Sequence, residues 1–244
     1  QRHLRVESLP AHRGTIHDRH GEPLAISAPV DSVWADPGVT LAEADAEQLR
    51  ALARQLGLDP ATLRADLEAR RSREFFYLRR HVDPALADNV MSLEVPGVAL
   101  QREYRRFYPA GEVTGHVLGF TDIDDRGQEG LELAYDDWLS GESGAKRVLR
   151  DRLGRNIEDV ERLREPAPGR DLHLTIDKRL QYIAYRELKA AVERNDALGG
   201  SLVLLDVTTG DILAMVNQPS FNPNRRQDIT GGRYRNRAVT DIYE

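Results

Sequence analysis

Pro166-Ala167-Pro168-Gly169 decides how the 244 residues divide. Two prolines and a glycine in four positions restrict φ and remove backbone donors, so no regular element runs through them. The chain after Gly169 has the texture of an α/β layer. Leu172-His173-Leu174-Thr175-Ile176 reads as a strand. Lys178–Arg194 reads as an amphipathic helix, with Leu180, Ile183, Ala184, Leu188, Ala191 and Val192 on one side. Leu202–Val207 and Ile212–Val216 flank Thr208-Thr209-Gly210-Asp211 as a hairpin. Both strands are apolar almost throughout, which predicts cover on both faces, and one helix covers only one.

Upstream of the linker the pattern is different. Arg13–Ser27 reads as a hairpin, with Asp18 at the turn start and Gly21 free to take φ > 0. Ser32–Asp36 is a short strand ended by Pro37. Thr40 and Glu43 have the spacing of a capping box ahead of Leu49, Leu52, Ala53 and Leu56, and Gly57 stops that helix. Asp59-Pro60 and Asp83-Pro84 each open a helix, with a strand over Phe75–Val82 between them. Gly97–Tyr108 alternates as a strand. A helix over Gln128–Ser140 has Leu131, Ala134, Tyr135 and Trp138 as its apolar stripe. Lys146–Asp159 is a charged hairpin turning near Gly154. An isolated hairpin is marginal in water, so partner strands are expected from Arg13–Asp36, making a strand-rich stalk beside a helical head over Thr40–Leu93. The fold class is α+β, in two parts: residues 1–168, and residues 169–244 as the start of an α/β domain.

Composition excludes several functions. With 34 Lys and Arg against 40 Asp and Glu, the net charge of −6 disfavours a nucleic-acid binder, whose affinity rests on neutralising phosphates. The longest apolar run is Ile212–Val216, far short of the roughly 18 residues of a membrane-spanning helix. With no Cys there is no disulfide, thiolate ligand or thiol nucleophile. An opening at Gln1 rather than Met reads as the interior of a longer protein.

Individual motifs are weak. His12, His17 and His20 cluster with Asp18, but His12 and His17 point to opposite faces of an alternating strand and His20 lies in the turn, so no metal site is expected. Arg70-Arg71-Ser72-Arg73 and Arg79-Arg80 flank Phe75-Phe76-Tyr77, a pattern that can bind single strands. The simpler reading is a strand with one wet face. Ser143-Gly144-Ala145-Lys146 matches S-x-x-K, and Ser220-Phe221-Asn222 matches S-x-N. A Ser–Lys nucleophile needs the two residues one helical turn apart. Gly141 and Gly144 break the helix there, and no Lys-Thr-Gly occurs in the chain. No catalytic residue and no cofactor are expected.

An ordered series of stretches resembles class B penicillin-binding proteins. Arg13-Gly14-Thr15-Ile16-His17-Asp18-Arg19-His20-Gly21-Glu22-Pro23-Leu24-Ala25 resembles the family's opening motif. Ser32-Val33-Trp34-Ala35-Asp36-Pro37 is similar to its division-specific branch, the FtsI family. Arg102–Glu112, Gly115–Thr121, Gly130-Leu131-Glu132, Asp151-Arg152-Leu153-Gly154-Arg155, Leu204–Met215 and Arg235–Glu244 fit the same family in order.

The resemblance implies an elongated N-terminal pedestal followed by the first strand, helix and hairpin of a serine D,D-transpeptidase, with the reactive serine expected beyond Glu244. The parent would cross-link septal peptidoglycan, bind stem peptides and β-lactams through its remaining part, and contact an FtsW-type glycan polymerase and divisome regulators. It would be anchored by an upstream helix at the periplasmic face of the inner membrane. Arg13, Gly14, Asp18, Arg19, Gly21, Arg102, Arg105, Arg106, Asp151, Arg152 and Arg155 are the candidates for joining pedestal elements or meeting partners. An elongation-specific member and a non-catalytic binding or regulatory module are the alternatives.

Overall fold

The computed structural model describes residues 3–150, 156–225, 227 and 232–242. It forms two compact units, each assembled from separate stretches of chain: 1–11, 29–105 and 142–167 in the first, and 12–28, 106–141 and 168–244 in the second.

In chain order, the elements begin with β1 (His3–Leu9), β2 (Ile16–His17) and β3 (Pro23–Ala35). The Ser32–Asp36 strand is thus the far end of one long strand that starts at Pro23. Helices α1 (Pro37–Glu43) and α2 (Ala46–Leu56) come next. Asp36 caps α1, with Pro37 in its first turn, and Asp45 makes the capping box of α2 with Gln48. Thr40 therefore sits inside α1 and does not begin the next helix. The Thr40–Glu43 spacing misled because two Asp residues nearby are better acceptors for a first turn. Gly57 closes α2 in the left-handed region at φ 66°, the conformation only glycine takes without strain. After it come α3 (Pro60–Ala69), β4 (Phe76–Val82), α4 (Pro84–Met91) and β5 (Val98–Phe107), with Asp59 and Asp83 capping their helices.

The first unit buries Val33, Leu52, Leu56, Leu63, Leu67, Val90 and Val98 in one core. It also holds a three-stranded antiparallel sheet in the order β1-β6-β7, with β6 (Gly144–Arg150) and β7 (Asn156–Arg164). The charged hairpin has its expected strands, but its partner is β1, paired from His3↔Arg150 to Leu9↔Gly144, and not Arg13–Asp36. The turn at Gly154 lies outside the described residues.

In the second unit the Arg13–Ser27 hairpin pairs Ile16 with Ala25, and β2 runs parallel to β8 (Leu172–His173) through Ile16↔Leu172. The expected Gln128–Ser140 helix is two short ones, α6 (Gly130–Ala134) and α7 (Asp136–Leu139), after the one-turn α5 (Gly115–Leu118). Then come α8 (Lys178–Arg194), the antiparallel pair β9 (Gly200–Leu205) and β10 (Ile212–Gln218), and α9 (Arg237–Thr240).

Helix α8 meets the strand pair through Ala184, Tyr185, Ala214 and Val216, while Ile183 faces out. Its buried face is rotated from the expected stripe because Gln181 is turned inward to satisfy backbone: its side chain donates to Val113 O and Met215 O and accepts from Met215 N. Strand β9 leaves Val203, Leu204 and Leu205 exposed. Among the described residues no helix is long and apolar enough to cross a membrane.

Candidate functional site

The second unit closes around a buried ion cluster. Glu132, on α6, is fully buried between two arginines. Arg13 Nε donates to its Oε2 at 2.6 Å, and Arg106 Nε to its Oε1 at 2.7 Å. Arg13 also donates to Glu132 O at 2.7 Å, Asp136 Oδ1 at 2.6 Å, Ser140 Oγ at 2.9 Å and Asp125 O at 3.2 Å. One guanidinium thereby ties the opening hairpin to the Asp122–Gly127 turn and to α6 and α7. Arg suits this role because its donors lie in a fixed planar fork and its charge is permanent.

Burial works against the Arg13 charge, yet Glu132 and Asp136 outweigh it and hold its pKa above the ordinary value. Burial likewise pulls Asp136 up, but the Gly127 N–H and Arg13 pull it further down. Two cations thus face two carboxylates. Asp125 is a fifth charge with no cation left for it. Burial, with Glu132 nearby, pushes its carboxyl up to about 6 against the pull of Arg106 and Arg13. Thr121 lies beside the Tyr108 hydroxyl and Asp125, while Arg106 Nη2 is buried with no hydrogen-bond partner among the described residues. Burial, then Glu132, drives the Tyr108 phenol well above its usual range.

This geometry reverses the reading of the Gln128–Ser140 segment. Tyr135 and Trp138 are 45% exposed and Glu132 is 0% exposed. The supposed polar face turns inward because two buried guanidinium groups require a counter-ion, and an unpaired buried charge costs more than an exposed aromatic ring. Sequence reasoning missed Glu132 as a functional residue. The available signal was weak: Arg13 precedes β2 in irregular chain, and Arg106 shares its β5 face with Arg102 and Tyr104, so nothing local marks either as buried.

The other candidates separate. Gly14 is required by close approach: a Cβ there would lie 1.9 Å from Arg170 O. Asp18 organises the hairpin turn, accepting from His20 N at 2.8 Å and Glu22 N at 2.9 Å, and reaches Lys178 N at 3.1 Å at the start of α8. Burial opposes its charge, but these N–H donors hold its pKa below the ordinary value. Arg19 contributes its backbone N–H to Ile176 O. Gly21 takes φ 84° in open space. In the first unit, Arg102 is exposed and pairs with Asp31 at 2.9 Å, and Arg105 is exposed. Asp151, Arg152 and Arg155 lie outside the described residues. Of the eight described candidates, only Arg13 and Arg106 converge.

The remaining motifs are absorbed by structure. His17 stacks on His173 at 4.7 Å, while His20 Nε2 lies 3.0 Å from Asp177 Oδ2. Arg80 pairs with Glu103 at 2.6 Å and lies over Tyr77, Arg79 donates to Leu56 O, and Arg70 pairs with Asp66 and lies over Phe76. Lys146 is in β6 and not one helical turn from Ser143. Ser220 Oγ donates to Glu112 Oε2 at 3.1 Å. A cavity of about 660 Å³ within the second unit is lined by His116, Leu131, Leu174, Ile176, Met215 and Val239.

Comparison with known proteins finds two matching domain families. Residues 8–174 match the penicillin-binding protein dimerisation domain, and residues 200–244 match the penicillin-binding protein transpeptidase domain. The chain belongs to the penicillin-binding proteins, and within them to the class B, FtsI type. It is 44% identical over its whole length to peptidoglycan D,D-transpeptidase FtsI of Escherichia coli K12, and 43% identical over 99% of its length to probable peptidoglycan D,D-transpeptidase PenA of Neisseria meningitidis. It spans 42% of the length of each of these relatives. A peptidoglycan synthetase from Bifidobacterium adolescentis superposes with a TM-score of 0.60 at 25% identity, over 93% of this chain and 46% of that one. Penicillin Binding Protein 2X from Streptococcus thermophilus shares the fold, with a TM-score of 0.62 at 20% identity, over 92% of this chain and 37% of that one.

Proposed function

We propose that this chain is the pedestal and the first catalytic-domain elements of a serine D,D-transpeptidase that cross-links peptidoglycan at the division septum and is acylated by β-lactams. Residues 1–168 act as the pedestal, and residues 169–244 begin the transpeptidase domain. Asp177 caps α8 by accepting from Arg179 N and Leu180 N, and the observation that carries the reading is that Asp18 accepts the remaining Lys178 N–H at 3.1 Å. The opening motif of the dimerisation domain thereby seats the helix that leads into the β9–β10 pair, where the transpeptidase match begins.

The roles of the candidate residues come from their environments. Arg13 and Arg106, buried on Glu132, hold elements of the second unit together. Arg105, exposed, and Arg102, exposed but paired with Asp31, are the candidates for facing a partner, and the FtsI likeness points to an FtsW-type glycan polymerase and divisome regulators. The same likeness supports a periplasmic location, with the parent anchored in the inner membrane by an upstream helix.

Labelling with a fluorescent penicillin tests the reading. The full-length protein is expected to take one covalent label on a serine after Glu244, and the 244-residue chain none. Label on Ser143 or Ser220, or a full-length protein that takes none, overturns it.

A further inference from the structure

Asn217 on β10 is 1% exposed and belongs to no part of the ion cluster. Its Oδ1 accepts from Ser201 Oγ on β9 at 2.6 Å and from Ala238 N on α9 at 2.9 Å. Its Nδ2 donates to Asn236 Oδ1 at 2.8 Å. One buried amide thus joins both strands to the first turn of α9.

The bond to Ala238 N is a helix cap supplied from outside the helix. The first N–H groups of any helix lack partners within it. Asn236 stands at the capping position of α9 but makes no side-chain cap. Its carbonyl oxygen receives the Asn217 amide, and its Nδ2 lies 3.4 Å from both His116 O and Met215 Sδ. The cap comes instead from a strand residue 21 positions earlier. The far end of the segment is held locally, by Asp241 paired with Arg235 at 2.5 Å and Arg237 at 3.2 Å. Those pairs are partly exposed and stiffen the segment without attaching it to the sheet. Attachment to the strand pair runs through Asn217, with a longer contact from Asn236 Nδ2 to Met215 Sδ beside it.

We propose that Asn217 is a positioning residue for acyl transfer: it sets the place and direction from which the chain leaves α9 toward the nucleophilic serine. This rests on the function proposed above and adds to it a residue that touches no substrate. A nucleophile must be held close to its line of attack, and a displacement of about 1 Å costs on the order of 10²-fold in rate. A four-residue helix has too few bonds of its own to hold that position.

The test uses the full-length protein and a fluorescent penicillin, separating non-covalent affinity from the acylation rate constant. Asn217→Ala is expected to slow acylation on the order of 10²-fold while leaving non-covalent affinity within about threefold. Asn217→Asp keeps the acceptor for Ser201 and Ala238, and Asn236 can turn its amide to donate. It is expected to acylate within about tenfold of wild type. If circular dichroism shows that Asn217→Ala does not fold, the half-buried Asn236→Ala is read instead, with a loss of at least about tenfold expected.

An unchanged rate in the variant read, a loss confined to affinity, or equal losses in Asn217→Ala and Asn217→Asp overturns the proposal. A wild-type protein that takes no penicillin overturns the functional reading itself, and the role of Asn217 with it.

Discussion

Arg13 and Glu132 lie 119 positions apart and meet at 2.6 Å, with side chains 2% and 0% exposed. Arg106 reaches the other oxygen of the same carboxylate at 2.7 Å. The pairing brings a hairpin, a strand and a short helix to one point, which explains why a charge occupies a position that an aliphatic residue would fill more cheaply.

Removing the shared acid leaves two guanidinium groups buried without it. Glu132→Ala is expected to destabilise the fold by about 3–5 kcal/mol, the range for breaking a buried ion pair from one side. Urea unfolding of the 244-residue chain measures it. A loss below about 1 kcal/mol, the level of an exposed pair, would contradict the buried cluster.

Asp125 makes the opposite prediction. Its folded pKa of about 6 stands above the ordinary 3.8, so the native state binds its proton more tightly than the unfolded state does. Its contribution to stability is fully present below about pH 4 and is lost as pH rises through 6. Asp125→Asn is neutral at all pH and suits a site at φ 63°, which Asn tolerates. Relative to wild type, the variant should gain on the order of 2 kcal/mol between pH 4 and pH 7. A wild-type-to-variant difference independent of pH would remove Asp125 from the cluster.

Gly14 and Gly21 belong to one motif but are glycine for different reasons. Gly14→Ala would place a Cβ 1.9 Å from Arg170 O, so backbone must move, and a loss above about 2 kcal/mol is expected. Gly21→Ala meets nothing within 4 Å and bears only the strain of φ 84°, about 1 kcal/mol. Thermal melts of the two variants rank them. Equal losses would mean that the approach of Arg170 O does not constrain Gly14.

Asp18→Ala removes the acceptor of three backbone N–H groups, including Lys178 N at the start of α8. A loss of about 1–2 kcal/mol is expected, as for a helix cap. Because the Asp18 pKa is depressed, this difference should be present at neutral pH and shrink as pH falls below about 4. Hydrogen exchange at the first turn of α8 should quicken in the variant. An unchanged rate there would show that Asp177 caps the helix alone.

Elements with local signals are legible in the amino-acid order. Asp-Pro pairs opened α3 and α4, Gly57 closed α2, the Lys178–Arg194 periodicity delimited α8, and Thr208–Asp211 turned β9 into β10. Each depends on backbone geometry and bonds within a few residues, which a short window contains. Family membership was legible too, because motif order survives in sequence without any coordinates. Long-range packing settles which face of Gln128–Ser140 turns inward, that β1 and not the Arg13 hairpin pairs with β6, and that Arg13 and Arg106 share Glu132. Periodicity ranks side chains by hydrophobicity alone. Whether a carboxylate outranks a tryptophan for burial depends on the charges that distant stretches of chain bring beside it, and those distances exist only after folding.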